Sequence, residues 1–133
     1  MQKSRLTQII VFISSLIALL IGGALLFTPI SFEATANIVL PKDPSLLSEI
    51  RAYGGVIIAS GVIIMRGVIK PAFMGVSLSI CSIIYLSIGI SRLVSLLVDG
   101  TPSDPIITAT IVEFAIGFIC TALLLKKRST NKV

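Results

Sequence analysis

Four long stretches of the chain are apolar almost without interruption, and the polar residues gather in the breaks between them. The stretches run over about residues 6–27, 46–65, 72–97 and 105–125. A helix needs about 20 residues to cross the hydrocarbon core of a bilayer, so each can span. Thr28-Pro29 ends the first, because proline cannot continue the hydrogen-bond ladder. Pro71 suits the first residue of the third helix, and Gly100 suits its left-handed stop. Asp104-Pro105 reads as a cap followed by the first helical residue of the fourth, which Lys126-Lys127-Arg128 closes. The breaks at 66–71 and 98–104 are short, so neighbouring helices run antiparallel. The longer break, Ser31 to Ser45, holds Glu33, Lys42, Asp43 and two prolines, with room for a short surface helix. The prediction is all-α: one domain over residues 1–133, an integral membrane bundle of four antiparallel transmembrane helices.

Composition removes other classes. Hydrophobic residues make up 55% of the 133 and charged residues 13%, whereas a soluble domain carries about 25% charged residues. A disordered chain needs low hydrophobicity and high charge, the reverse of this balance. There is no histidine, no tryptophan, and only two cysteines, Cys81 and Cys120. That excludes zinc sites of the Cys/His kind, Ser-His-Asp triads and histidine-ligated haem. The net charge is +5, but the basic residues flank apolar runs instead of covering one exposed face, so no nucleic acid partner is expected.

Charge is distributed unevenly about the predicted spans. Lys3, Arg5, Arg66, Lys70, Lys126, Lys127, Arg128 and Lys132 fall on one side with no acid among them. The other side and its helix ends hold Lys42, Arg51 and Arg92 with Glu33, Asp43, Glu49, Asp99, Asp104 and Glu113. The positive-inside rule then predicts a multi-pass protein of the bacterial inner membrane with both termini cytoplasmic. Ala34-Thr35-Ala36 has the small residues of a signal-peptide cleavage site. The apolar run before it exceeds the roughly 7–15 residues of a signal's hydrophobic region, so the first helix is expected to stay uncleaved.

Ionisable side chains at membrane depth are rare and usually turn into the bundle. Arg51, Arg92 and Glu113 lie roughly 9, 10 and 13 Å in from the acidic ends of their helices by helical rise, so they share a layer. Two arginines and one carboxylate on three helices can meet there, with Asp99 or Glu49 completing the charge balance. Glu49 is off Arg51's face and is expected to point toward the headgroups or the first link. Small and polar residues mark the faces: Arg51, Gly55 and Ala59 on the second helix; Gly75, Ser79, Ser82, Gly89 and Arg92 on the third; Ala109, Glu113, Gly117 and Thr121 on the fourth. Tyr85 lies one heptad below Arg92. Small residues at such spacing let helices approach closely, so these stripes are predicted to face the interior.

The layer has three readings. One is a structural clamp in which an arginine pairs with Glu113 and specifies the packing. Another is a binding site, where two arginines hold an anionic or polar head group, since the guanidinium fork suits carboxylate and phosphate. A third is a small-solute or proton-coupled carrier titrating Glu113, disfavoured because two nearby arginines hold that carboxylate ionised.

Glu49-Ile50-Arg51-Ala52-Tyr53-Gly54-Gly55, then Ser91-Arg92, Asp99-Gly100-Thr101-Pro102 and Glu113 resemble the family catalogued as domain of unknown function 4345. The resemblance covers nearly the whole chain and implies a small bacterial four-helix membrane protein. That family is similar at a distance to DoxX-like membrane proteins, some linked to thiol or quinone metabolism, which implies a redox-linked membrane subunit as a third function. Small multidrug carriers match in length and helix number but carry their essential carboxylate in the first helix. Here no charge falls between Arg5 and Glu33.

The remaining residues offer little chemistry. Cys81 and Cys120 lie in the half of the bundle away from the charged layer and not in C-x-x-C spacing, so they are expected to be inert packing residues. The serines have no neighbouring base, and serine in a membrane helix usually bonds backbone or another helix. Arg51 and Arg92 would repel a cation from Glu113, Asp99 and Asp104, so no metal and no cofactor are expected. The Gly22-Gly23 and Gly54-Gly55 pairs lack the strand and lysine of a phosphate loop and read as close-packing points. The sequence thus predicts a non-enzymatic membrane module embedded in the lipid bilayer. Its polar cluster is Glu49, Arg51, Tyr53, Tyr85, Arg92, Asp99 and Glu113, and its packing residues are Gly54, Gly55, Ala59, Gly89 and Gly117. The cluster clamps the bundle or takes a lipophilic or anionic ligand, a second copy, or a membrane-protein partner.

Overall fold

The structure, a computed structural model, describes residues 5–130. Five α-helices follow in order: α1 (Arg5–Phe27), α2 (Pro29–Ala34), α3 (Pro44–Ile69), α4 (Met74–Asp99) and α5 (Asp104–Thr130), with a 3₁₀ turn at Pro71–Phe73 before α4. Four of them, all but the six-residue α2, are long and apolar enough to cross a membrane. The chain is an all-α, multi-pass membrane protein.

Local chemistry sets the boundaries. Asp43 caps α3 through a 2.8 Å bond accepted from the Leu46 amide, and Pro44 follows as the first helical residue. This is the cap-proline grammar that the sequence shows at 104–105, and it lengthens the second span at its start. At 104–105 the carbonyl of Ser103 accepts from Ile106 and Ile107, so the fourth span starts one residue early. Gly100 ends α4 with φ 96° and ψ −171°. That is not the left-handed helical conformation the sequence suggests but a region open essentially to glycine alone. The third span opens as a 3₁₀ turn, with Arg66 stacked 4.4 Å over the Phe73 ring.

The basic residues Arg5, Arg66, Lys70, Lys126, Lys127 and Arg128 lie at one end of the antiparallel bundle, here the basic end. Lys3 and Lys132 lie outside the described residues. The other, acidic end carries α2, the link at 35–43 and the link at 100–103. Two antiparallel pairs, α1/α3 and α4/α5, join through α3 and α4, whereas α1 and α5 barely meet. The buried apolar cluster of Val11, Ile64, Met74, Leu78, Cys81, Tyr85 and Cys120 fills the basic half. Toward the acidic end the two pairs part.

Glycines hold α1 on α3. A β-carbon on Gly22 would fall 2.8 Å from the carbonyl oxygen of Gly54, and one on Gly54 would fall 2.9 Å from that of Gly22. The structure corrects the stripe expected on this helix. Gly55 faces open space and Ala59 is exposed, while Gly54, Ile57, Gly61 and Ile64 are buried. The expected stripe steps by four from Arg51, whereas the buried one steps by three and four. Each residue turns the helix by about 100°, so one position of difference is enough to leave the seam.

Candidate functional site

The seam between α4 and α5 is a ladder of side-chain pairs. Starting from the basic end, Cys81 meets Cys120, Ser82 bonds Thr121, Leu86 fills the space over Gly117, Phe114 packs on Gly89, and Arg92 meets Glu113. Gly89 and Gly117 are both buried there, and a β-carbon on Gly117 would lie 2.6 Å from Leu86. In the last pair the Nε of Arg92 donates to both carboxylate oxygens of Glu113, at 3.1 and 3.0 Å. The Arg92 side chain is 32% exposed and that of Glu113 12%. Among the described residues the terminal nitrogens of Arg92 make no hydrogen bond.

This pair forms one wall of a cavity of about 280 Å³ between the parted helix pairs. Aliphatic residues of α1, α3, α4 and α5 line most of it, and α2 with the start of the following link covers its mouth. Its polar side chains are Glu33, Thr35, Tyr53, Arg92 and Glu113, with the Tyr85 ring at the floor, and the Thr35 hydroxyl is engaged at the Phe32 carbonyl. Tyr85 is buried, and its hydroxyl donates 2.6 Å to the Ser14 carbonyl, tying α4 to α1. Ser103 donates 2.7 Å to the Ala36 carbonyl, fastening the covering link to the start of α5.

Several residues expected in the cluster lie elsewhere. The Arg51 guanidinium donates to the Leu26 carbonyl at the end of α1, away from Glu113. It satisfies one of the carbonyls that a helix C-terminus leaves without a partner, and its positive charge suits that end of the helix dipole. Asp99 accepts 2.8 Å from Ser95 within its own helix and is exposed, as is Glu49. Neither lines the cavity.

The residue missing from the sequence reading is Glu33. It comes from α2, the short helix after Pro29, and meets the cavity from its mouth. Burial pushes the Glu33 carboxyl above its usual range, and the Arg92 guanidinium partly opposes that shift. The signal available in the sequence was Pro29 at the start of a six-residue helical segment ending near an acid. Nothing local specifies that this segment folds back over the bundle.

The cavity therefore sets one arginine between two carboxylates. Its polar end is one negative charge in formal excess, or neutral when Glu33 is protonated. A family model described as a domain of unknown function, DUF4345, matches residues 6–124. No curated protein and no solved structure matches the chain.

Proposed function

We propose, for a chain that belongs to the DUF4345 family, that the bundle is a non-catalytic membrane module whose cavity takes one small lipophilic molecule with a neutral, hydrogen-bond-accepting head. The observation that carries this reading is the cavity itself: about 280 Å³, close to twice the size of an apolar cavity that holds benzene. Mostly aliphatic walls favour an apolar body, and a few converging polar groups at one end orient it, the usual make-up of a ligand site. The Tyr53 hydroxyl and the terminal nitrogens of Arg92 are the donors at that end. An anionic head fits less well, because Arg51 is engaged at Leu26 and Arg92 already faces Glu33 and Glu113.

The basic end is cytoplasmic in this reading, by the positive-inside rule, in a bacterial inner membrane. The cavity mouth then faces outward, and α2 is its cover. A second reading rests on the bridge from Arg92 to both oxygens of Glu113, which suits a clamp that specifies how α4 meets α5.

The test is native mass spectrometry of the protein extracted in its own lipid, wild type beside Ala109→Phe, which fills the cavity. A co-purifying mass present in wild type and lost in the folded variant supports ligand binding. A wild type that is empty, with Glu113→Gln losing only stability, overturns it in favour of the clamp. Solute flux into vesicles that depends on Glu113 replaces both with a carrier.

A further inference from the structure

The two cysteines are 39 positions apart in sequence and share no motif, yet the structure places their sulfurs 3.1 Å from one another, Cys120 Sγ donating to Cys81 Sγ. Both are free and both have no exposed surface. The contact is held in register by its neighbours on the α4/α5 seam. Ser82 bonds Thr121, the residue after each cysteine in sequence, and Leu86 lies over Gly117 further toward the acidic end. No atom stands between the sulfurs. A disulfide needs S–S of about 2.05 Å, so closing this pair takes about 1 Å of side-chain movement across helices that are already packed.

We infer that Cys81 and Cys120 form an intramembrane dithiol site that a small hydroperoxide oxidises reversibly to a disulfide, locking α4 to α5. With hydrogen peroxide, the sulfur of one cysteine attacks a peroxide oxygen as its thiol gives up its proton. An S–O bond forms, the O–O bond breaks, and hydroxide leaves and takes up the proton that the thiol gave up. The second sulfur then attacks the resulting sulfenic acid, the S–S bond forms, and the hydroxyl leaves as water with the second thiol's proton. Two thiols are oxidised by two electrons, one peroxide is reduced, and two waters result. A dithiol reductant reverses the reaction by exchange through a mixed disulfide when α4 and α5 part far enough to admit it. Burial selects for small oxidants, because a bulky one has no path to sulfurs without exposed surface. Tyr85, one turn along α4 from Cys81, forms the cavity floor, so the cavity ends one side chain from the pair. The inference does not depend on what the cavity binds.

The chain offers a direct assay, because Asp-Pro bonds are labile in mild acid and the chain has two, Asp43-Pro44 and Asp104-Pro105, of which the second separates the two cysteines. Wild-type protein in liposomes is treated with hydrogen peroxide, quenched with a small maleimide under denaturing conditions, and cleaved with mild acid at both Asp-Pro bonds. The expected result is loss of both alkylatable thiols together, an intact mass lower by two hydrogens, and two cysteine-bearing fragments, 44–104 and 105–133, that stay joined until reductant is added. Cys81→Ser or Cys120→Ser is expected to leave no reductant-sensitive link between those fragments. The proposal is overturned by any of three results. These are two alkylatable thiols at a peroxide dose that closes a reference dithiol, loss of one thiol without the other, or cysteine-bearing fragments that separate from one another without reductant. The peroxide assay uses the wild-type chain alone, so a poorly folding variant does not blunt it.

Discussion

Gly22 and Gly54 press backbone to backbone where α1 crosses α3, each occupying the space in which the other's β-carbon would sit. Their sequence neighbours Gly23 and Gly55 have open space instead. One glycine of each pair is therefore a packing requirement and the other is not. Gly54→Ala is expected to destabilise the bundle by about 1–3 kcal/mol, the cost of overpacking against backbone that cannot swing away. Gly55→Ala is expected to be neutral or slightly stabilising, since alanine is the better helix former. Thermal unfolding of the two variants in the same detergent separates them.

Glu113→Gln leaves Arg92 without its counter-charge. Loss of one partner from a fully buried pair costs about 3–5 kcal/mol. Arg92 keeps about a third of its surface, so screening reduces the effect to about 1–3 kcal/mol. Arg92→Met with Glu113→Gln is expected to recover part of that loss. A double-mutant cycle on unfolding free energies measures the coupling, and additive losses would show that the two side chains do not act as a pair.

Glu33 supplies a pH dependence. Its carboxyl is raised above the ordinary value of 4.5 by burial, so the folded state binds its proton more tightly than the unfolded state does. The sign follows by linkage: its contribution to stability is complete below the unfolded value and is lost as pH rises through the folded one. Wild type is therefore expected to lose stability relative to Glu33→Gln as pH increases from about 4.5 toward neutrality. Replacing Arg92 is expected to deepen the loss, because the guanidinium opposes the shift. Melting curves against pH for the three proteins check both expectations.

Ala109→Phe puts a ring into the cavity from α5. Filling a pre-existing cavity commonly adds about 0.5–2 kcal/mol, so the variant is expected to melt higher while losing any co-purifying lipophile. A lower melting point with ligand retained would mean that the ring cannot enter the space.

Tyr85→Phe keeps the ring at the cavity floor and removes the hydroxyl that reaches Ser14. The expected cost is about 0.5–1.5 kcal/mol, that of one buried hydrogen bond. A much larger loss would show that the ring itself has moved.

The apolar runs by themselves determine four spans, because a bilayer requires about 20 apolar residues with all backbone bonds made inside the helix. Proline and the charged clusters place the ends to within a few residues, since a missing N–H and a charge both stop a span locally. That Glu113 meets an arginine was legible because rare intramembrane charges at one depth must find each other; that the arginine is Arg92 and not Arg51 was not. What sequence did not determine is which of several similar faces turns inward. Gly54 and Gly55 differ by one step of the helix, and only the approach of α1 through Gly22 decides between them. Arg51 has the right depth and the wrong neighbour: the carbonyl of Leu26 lies nearer its face than Glu113 does. Glu33 and the thiol pair belong to the same class. Their meetings depend on how α2 folds over the acidic end and how α4 registers against α5, and side-chain period carries no record of either. Tertiary packing decides these points because small residues let helices meet closely, and close contact sets rotation and register to within a single residue.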